Sequence, residues 1–101
     1  MKNITPDELR KIRFDKASTK IIDVRTPAEV AEGTIEGAEN INLMDPEFAD
    51  KINYKDKELP YIMICRSGNR SGTACGFMET QGFTEVYNLA GGMLGWDGQT
   101  V

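Results

Sequence analysis

Three short apolar runs, each stopping at polar residues, constrain this chain more than any other feature. Lys20-Ile21-Ile22-Asp23-Val24-Arg25 and Leu59–Ile64 read as strands buried on both faces, and Glu85–Leu89 reads as a third. Helix signals lie around them. Thr5-Pro6-Asp7-Glu8 offers a capping threonine, a proline suited to the first turn and a glutamate to close a capping box. Thr26-Pro27-Ala28-Glu29 repeats that pattern. Asn69 to Gln81 carries Ala74, Phe77 and Met78 on one helical face and meets a natural stop at Gly82. Strands that alternate with helices predict an α/β domain with a mostly parallel sheet. In such sheets ligands bind beyond the carboxyl ends of the strands.

Two of those ends carry chemistry. The run Tyr61–Ile64 passes directly into Cys65-Arg66-Ser67-Gly68-Asn69-Arg70-Ser71 and then into a helix. A thiol at a strand end, followed by a short polar loop and a helix start, is an anion cradle with a nucleophile at its base. Loop N–H groups and the helix dipole favour negative charge there, so the Cys65 thiol is expected to ionise more readily than a free one. The other end is the Asp23–Arg25 corner. Asp23 follows two isoleucines, so it is expected to be paired, with Arg70 as one candidate. The alternative is that Asp23 caps Thr26-Pro27 while Arg25 faces solvent.

The chain has 101 residues, which suits a single domain spanning 1–101. Its net charge is −4, which argues against nucleic acid as partner and makes the loop arginines locally placed charge. There are two cysteines and no histidine, a composition that predicts neither a disulfide scaffold nor a metal site. No cofactor is implied. No apolar segment follows Met1-Lys2-Asn3, and no run is long enough to span a bilayer, so no membrane partner is expected and a reducing cytoplasm fits best. Lys51 to Glu58 reads as solvated surface, and the spacing of Gly72 and Gly76 suggests close backbone approach. Cys75, inside the predicted helix, reads as a small buried hydrophobe; its sharper reading is a resolving thiol for Cys65.

Four segments together resemble the rhodanese, or sulfurtransferase, family. They are Asp23-Val24-Arg25-Thr26-Pro27-Ala28-Glu29, Gly33 to Ile41, Cys65 to Ser71, and Gly91-Gly92-Met93-Leu94-Gly95-Trp96. Each is a modest signal alone; their order and separation make the match specific over nearly the whole chain. The resemblance implies a rhodanese-like α/β fold of about five mostly parallel strands flanked by helices on both faces, with a first strand near Lys2 to Ile4. It also implies that Cys65 forms a persulfide. Thr34 stands where the family often has histidine, and Glu36 where proline is common. This reads as loop variation.

Sulfur transfer needs a thiolate that attacks the outer sulfur of a small anionic donor such as thiosulfate. Arg66 and Arg70 would bind the anion, helped by the backbone and side chains of Ser67, Gly68, Asn69 and Ser71, with Asp23 and Arg25 in support. A thiol, a protein or cyanide would then accept the sulfur. Two rivals remain. A cysteine phosphatase or arsenate reductase places its arginine after five intervening residues, whereas Arg70 follows Cys65 after four. A non-catalytic rhodanese-like binding or sulfur-carrier module is the other.

Overall fold

The computed structural model describes all of residues 1–101. Five strands, β1 (Lys2–Ile4), β2 (Lys20–Asp23), β3 (Ala38–Asn40), β4 (Pro60–Ile64) and β5 (Glu85–Leu89), form one sheet in the order β1-β5-β4-β2-β3. Every pairing is parallel. Four helices, α1 (Pro6–Asp15), α2 (Pro27–Ala31), α3 (Phe48–Asn53) and α4 (Asn69–Thr80), connect them. No helix is long and apolar enough to cross a membrane.

Both threonine-led helix starts form as their residues dictate. Thr5 and Thr26 each accept from the backbone N–H three residues on, and Glu8 and Glu29 each reach back to the capping residue. In β4 all five residues are buried, and their alternation divides the core. Tyr61, Met63 and Cys65 join the larger apolar cluster with Ile22, Val24, Ile52, Ala74, Cys75 and Met78, under α3 and α4. Ile62 and Ile64 face the smaller cluster with Ile4, Leu9, Ile21, Ile35 and Leu89, against α1. Burying each such aliphatic side chain contributes about 1.5–3 kcal/mol.

Three details depart from expectation. Ala38 to Leu43 reads in sequence as a short strand, yet β3 ends at Asn40, although Ile41 and Leu43 still donate to the Asp23 and Val24 carbonyls. The Lys51–Glu58 stretch is not wholly solvated surface. Ile52 is fully buried, because α3 turns Phe48 and Ile52 inward together. Gly76 does not serve close approach, since a Cβ there would meet nothing within 4 Å, and at Gly72 it would make an ordinary 3.5 Å contact with the Asn88 amide.

Candidate active site around Cys65

Cys65 directly follows β4 and is 1% exposed. The chain then turns sharply through Gly68, at φ 98°, before α4 begins. A side chain at Gly68 would place its Cβ 2.1 Å from the Ala90 carbonyl oxygen, so only glycine fits. The turn folds the backbone over the sulfur: the Gly68 N–H donates to Sγ at 3.0 Å, and the Ser71 hydroxyl lies 3.2 Å from it. Burial pushes the thiol pKa up. Hydrogen bonds from the Ser71 hydroxyl and from the N–H groups of Ser71, Gly68 and Ser67 outweigh burial and hold it below its ordinary value. The electrostatics therefore favour a nucleophilic sulfur.

A second glycine turn braces this loop from behind. Met93 N–H donates to the Cys65 carbonyl at 2.8 Å and Leu94 N–H to the Arg66 carbonyl at 3.0 Å. Gly92, at φ 57°, passes so close that a Cβ would sit 2.4 Å from the Arg66 carbonyl oxygen. The Gly91–Trp96 segment thus shapes the cysteine loop. Trp96 itself is half-buried against the smaller core, with the Arg10 guanidinium 4.8 Å above its ring.

The arginines are placed differently from one another. Arg66 is exposed and lines a cleft of about 460 Å³ with Arg25, Glu29, Gly33, Met93 and Leu94. Arg70 is engaged: its two terminal nitrogens donate to the two Glu29 oxygens, both at 2.8 Å. That fork holds the Glu29 carboxyl down at about 2. Glu29 also closes the α2 capping box, so one carboxylate ties the start of α2 to the start of α4. Ser67 and Asn69 are exposed on the loop, and Asn69 opens α4.

The Asp23–Arg25 corner meets neither sequence expectation in full. Asp23 does not pair with Arg70, and Arg25 does not face solvent. Arg25 Nη2 donates to Asp23 Oδ2 at 2.7 Å and Nε to Oδ1 at 3.0 Å, and both residues are buried. Neighbours along the strand explain this geometry, because a side chain two residues on points to the same face. Asp23 lies opposite Ile64, so its side chain emerges on the α1 face while Cys65 serves the α4 face. Thr34 Oγ1 donates to Asp23 Oδ2 at 2.7 Å, which makes Thr34 a partner of the buried pair rather than neutral loop variation.

Two residues of this neighbourhood carry roles that their sequence context does not announce. Glu29 reads in sequence only as a capping-box residue. Asn88 sits in β5 opposite Met63 and accepts from the Ser71 hydroxyl at 2.5 Å. Its signal was available: Val86 and Asn88 share the inward face of a strand, where an amide needs partners.

Cys75 is fully buried in α4, and its Sγ lies 3.5 Å from the Tyr87 carbonyl oxygen. Burial, then the nearby Glu79 carboxylate, pushes its thiol up to about 12. Neither cysteine is in a disulfide.

Comparison with known proteins points to one family and one fold. The rhodanese-like domain family matches residues 5–99. YtwF of Bacillus subtilis strain 168 is 45% identical over 80 residues, covering 79% of this chain and 75% of its own. The thiosulfate sulfurtransferase GlpE of Pseudomonas aeruginosa is 34% identical over 93 residues, covering 92% and 81%. Among solved structures, a rhodanese-like domain protein of Staphylococcus aureus superposes with a TM-score of 0.84 at 34% identity, covering 98% of this chain and 96% of its own. The human single-domain sulfurtransferase TSTD1 gives 0.80 at 26% identity, covering 95% of each chain.

Proposed function

The chain belongs to the rhodanese-like domain family, and from that premise we propose that this sulfurtransferase works through a persulfide on Cys65, with residues 1–101 acting as one catalytic domain. The observation that carries the reading is the set of donors converging on one sulfur: the Gly68 N–H at 3.0 Å and the Ser71 hydroxyl at 3.2 Å, in a loop opening a helix.

The proposed chemistry runs in two displacements. The Cys65 thiolate attacks the outer sulfur of thiosulfate or a similar anion. The sulfur–sulfur bond of the donor breaks and sulfite leaves with the electron pair. Arg66, exposed at the cleft, draws the anion in; the loop N–H groups and the α4 dipole stabilise charge on the transferred sulfur. Arg70, held by Glu29, fixes the start of α4 and adds positive charge beside the thiolate. An acceptor thiol, protein or cyanide then attacks the terminal sulfur and releases the Cys65 thiolate. Because the thiol pKa is lowered, the rate of the first step rises with pH to a plateau reached below the range of an ordinary thiol.

Thiocyanate formation from thiosulfate and cyanide, compared between the native protein and Cys65→Ser, tests this directly. Turnover lost in the variant, with one added sulfur on Cys65 by mass spectrometry, is the expected result. Sulfur found on Cys75 alone, or equal turnover in both proteins, overturns it.

A further inference from the structure

The Ser71 hydroxyl has two acceptors and a single proton to give. Asn88 Oδ1 is 2.5 Å away and Cys65 Sγ is 3.2 Å away. The Asn88 amide cannot turn to offer its nitrogen instead. Both Nδ2 protons are committed, one to the Gly68 carbonyl at 3.1 Å and one to the Asn3 carboxamide at 3.0 Å. Oδ1 is therefore held as an acceptor, and Ser71 is its partner. All three residues involved are buried: Ser71 is 0%, Cys65 1% and Asn88 4% exposed. An acceptor left without its donor at such depth is costly, so the hydroxyl must choose.

We propose that Asn88 is a positioning residue for the sulfur chemistry, one that holds the Ser71 proton while Cys65 is neutral and releases it when the sulfur carries charge. A neutral thiol donates its own S–H to Ser71 Oγ, and the hydroxyl points to Asn88. When the thiol ionises, the hydroxyl rotates onto Sγ and Asn88 Oδ1 loses its partner. When Cys65 carries a second sulfur, Sγ becomes a neutral bridging atom, the charge sits on the terminal sulfur, and the hydroxyl returns to Asn88. The acceptor's attack breaks the Sγ–S bond and leaves its electron pair on Sγ, and the hydroxyl swings back to receive that charge. No proton leaves Ser71 in this cycle; a hydrogen bond changes partner. The kinetic half of this proposal rests on the persulfide reading, whereas the exchange itself needs only the ionisation of Cys65.

The consequence is that Asn88 favours both neutral forms of Sγ over the thiolate. It restrains ionisation of the free enzyme and slows discharge of the persulfide. The other groups facing the pair are Arg66 of the loop, Arg70 of α4 with Glu29 of α2, the Asp23–Arg25 pair after β2, and Cys75, Glu79 and the Met1 ammonium around α4. None of these contacts Ser71 Oγ, whose partners are Cys65 and Asn88 alone.

The test follows the Cys65 thiolate by ultraviolet absorbance across pH. Asn88→Leu should lower its pKa by about half a unit to one unit, the worth of one hydrogen bond. Persulfide discharge to cyanide should quicken about three- to tenfold on the same scale. In a Ser71→Ala background the same substitution should shift nothing further. An equal shift in both backgrounds would mean that Asn88 acts only through Gly68 and Asn3, and would overturn the proposal. Asn88→Ala repeats the measurement without a bulky side chain. In the unaltered protein, the Asn88 side-chain amide resonance should titrate with the thiolate and stop doing so in Ser71→Ala. A resonance that stays fixed while Cys65 ionises overturns the proposal even if no Asn88 variant folds. A resonance that titrates in a protein that takes up no sulfur would uphold the exchange and remove the persulfide reading.

Discussion

Two thiols of this molecule are equally hidden and oppositely disposed. Cys65 follows β4 at 1% exposure and Cys75 lies in α4 at 0%. Burial raises the pKa of both. At Cys65 the backbone has been turned so that its N–H groups and the Ser71 hydroxyl aim at the sulfur, and these donors overcome burial. At Cys75 the regular helix consumes its own N–H groups, and the thiol donates to the Tyr87 carbonyl, an acceptor that favours the neutral S–H. What separates a readily ionised thiol from an inert core thiol here is therefore not depth but whether local backbone donors are free to converge.

The sharpest way to break that contrast is chemical. Cys75 stands at about 12 and Cys65 below the ordinary thiol value of 9.0, so their thiolate populations near neutral pH differ by at least about a thousandfold. Brief treatment of the native protein with iodoacetamide should label Cys65 and leave Cys75 intact, as peptide mapping would show. Comparable labelling of both would end the comparison.

The next test attacks the bent backbone. Gly92→Ala forces a strained φ and drives a Cβ into the Arg66 carbonyl. It should cost about 2 kcal/mol or more in denaturant unfolding and abolish the selective reactivity of Cys65. Cys75 should stay unreactive in the folded variant. A third test removes only charge. Glu29→Gln keeps the capping box but loses the carboxylate that Arg70 grips. The folded-state pKa of Glu29 is depressed to about 2, so its contribution is present above the ordinary carboxyl value of 4.5 and is lost as pH falls towards 2. The variant should lose about 1 kcal/mol at neutral pH, a half-exposed pair being partly screened, and its acid unfolding should be less steep. An unchanged acid limb would remove Arg70–Glu29 as the clamp on α4. The smallest effect belongs to the regular helix. Gly76→Ala meets open space and should raise stability by about 0.5 kcal/mol without touching the reactivity of Cys65.

Much of this was legible in one dimension. The burial of β2 and β4 followed from unbroken apolar runs, and the starts of α1 and α2 from threonine, proline and glutamate at fixed offsets. The place of Cys65 between a strand and a helix followed from the apolar run that ends at Ile64 and the helical pattern that begins at Asn69. Other features failed to show because they depend on residues distant in sequence. Arg70 could be seen to need a carboxylate, yet choosing Glu29 over Asp23 depends on Arg25 already holding Asp23 and on α2 setting Glu29 beside the start of α4. Asn88 looked like an ordinary strand residue, although its position two after Val86 placed an amide on an inward face. Ile52 was hidden among charges because α3 is only six residues long and shows too few turns for a helical period.

Periodicity, capping and turn chemistry are local, so the order of residues was enough to settle the kinds of element and the parallel sheet, and to single out Cys65 as the candidate nucleophile. Partnership is not local. Which carboxylate Arg70 holds is set by α2 meeting α4, and why Gly92 must be glycine behind Arg66 and where the Ser71 proton rests are set by the segments around β4, β5 and α4 packing side by side. Only that packing brings Asn88 within reach of Ser71, and with it control over the charge on Cys65.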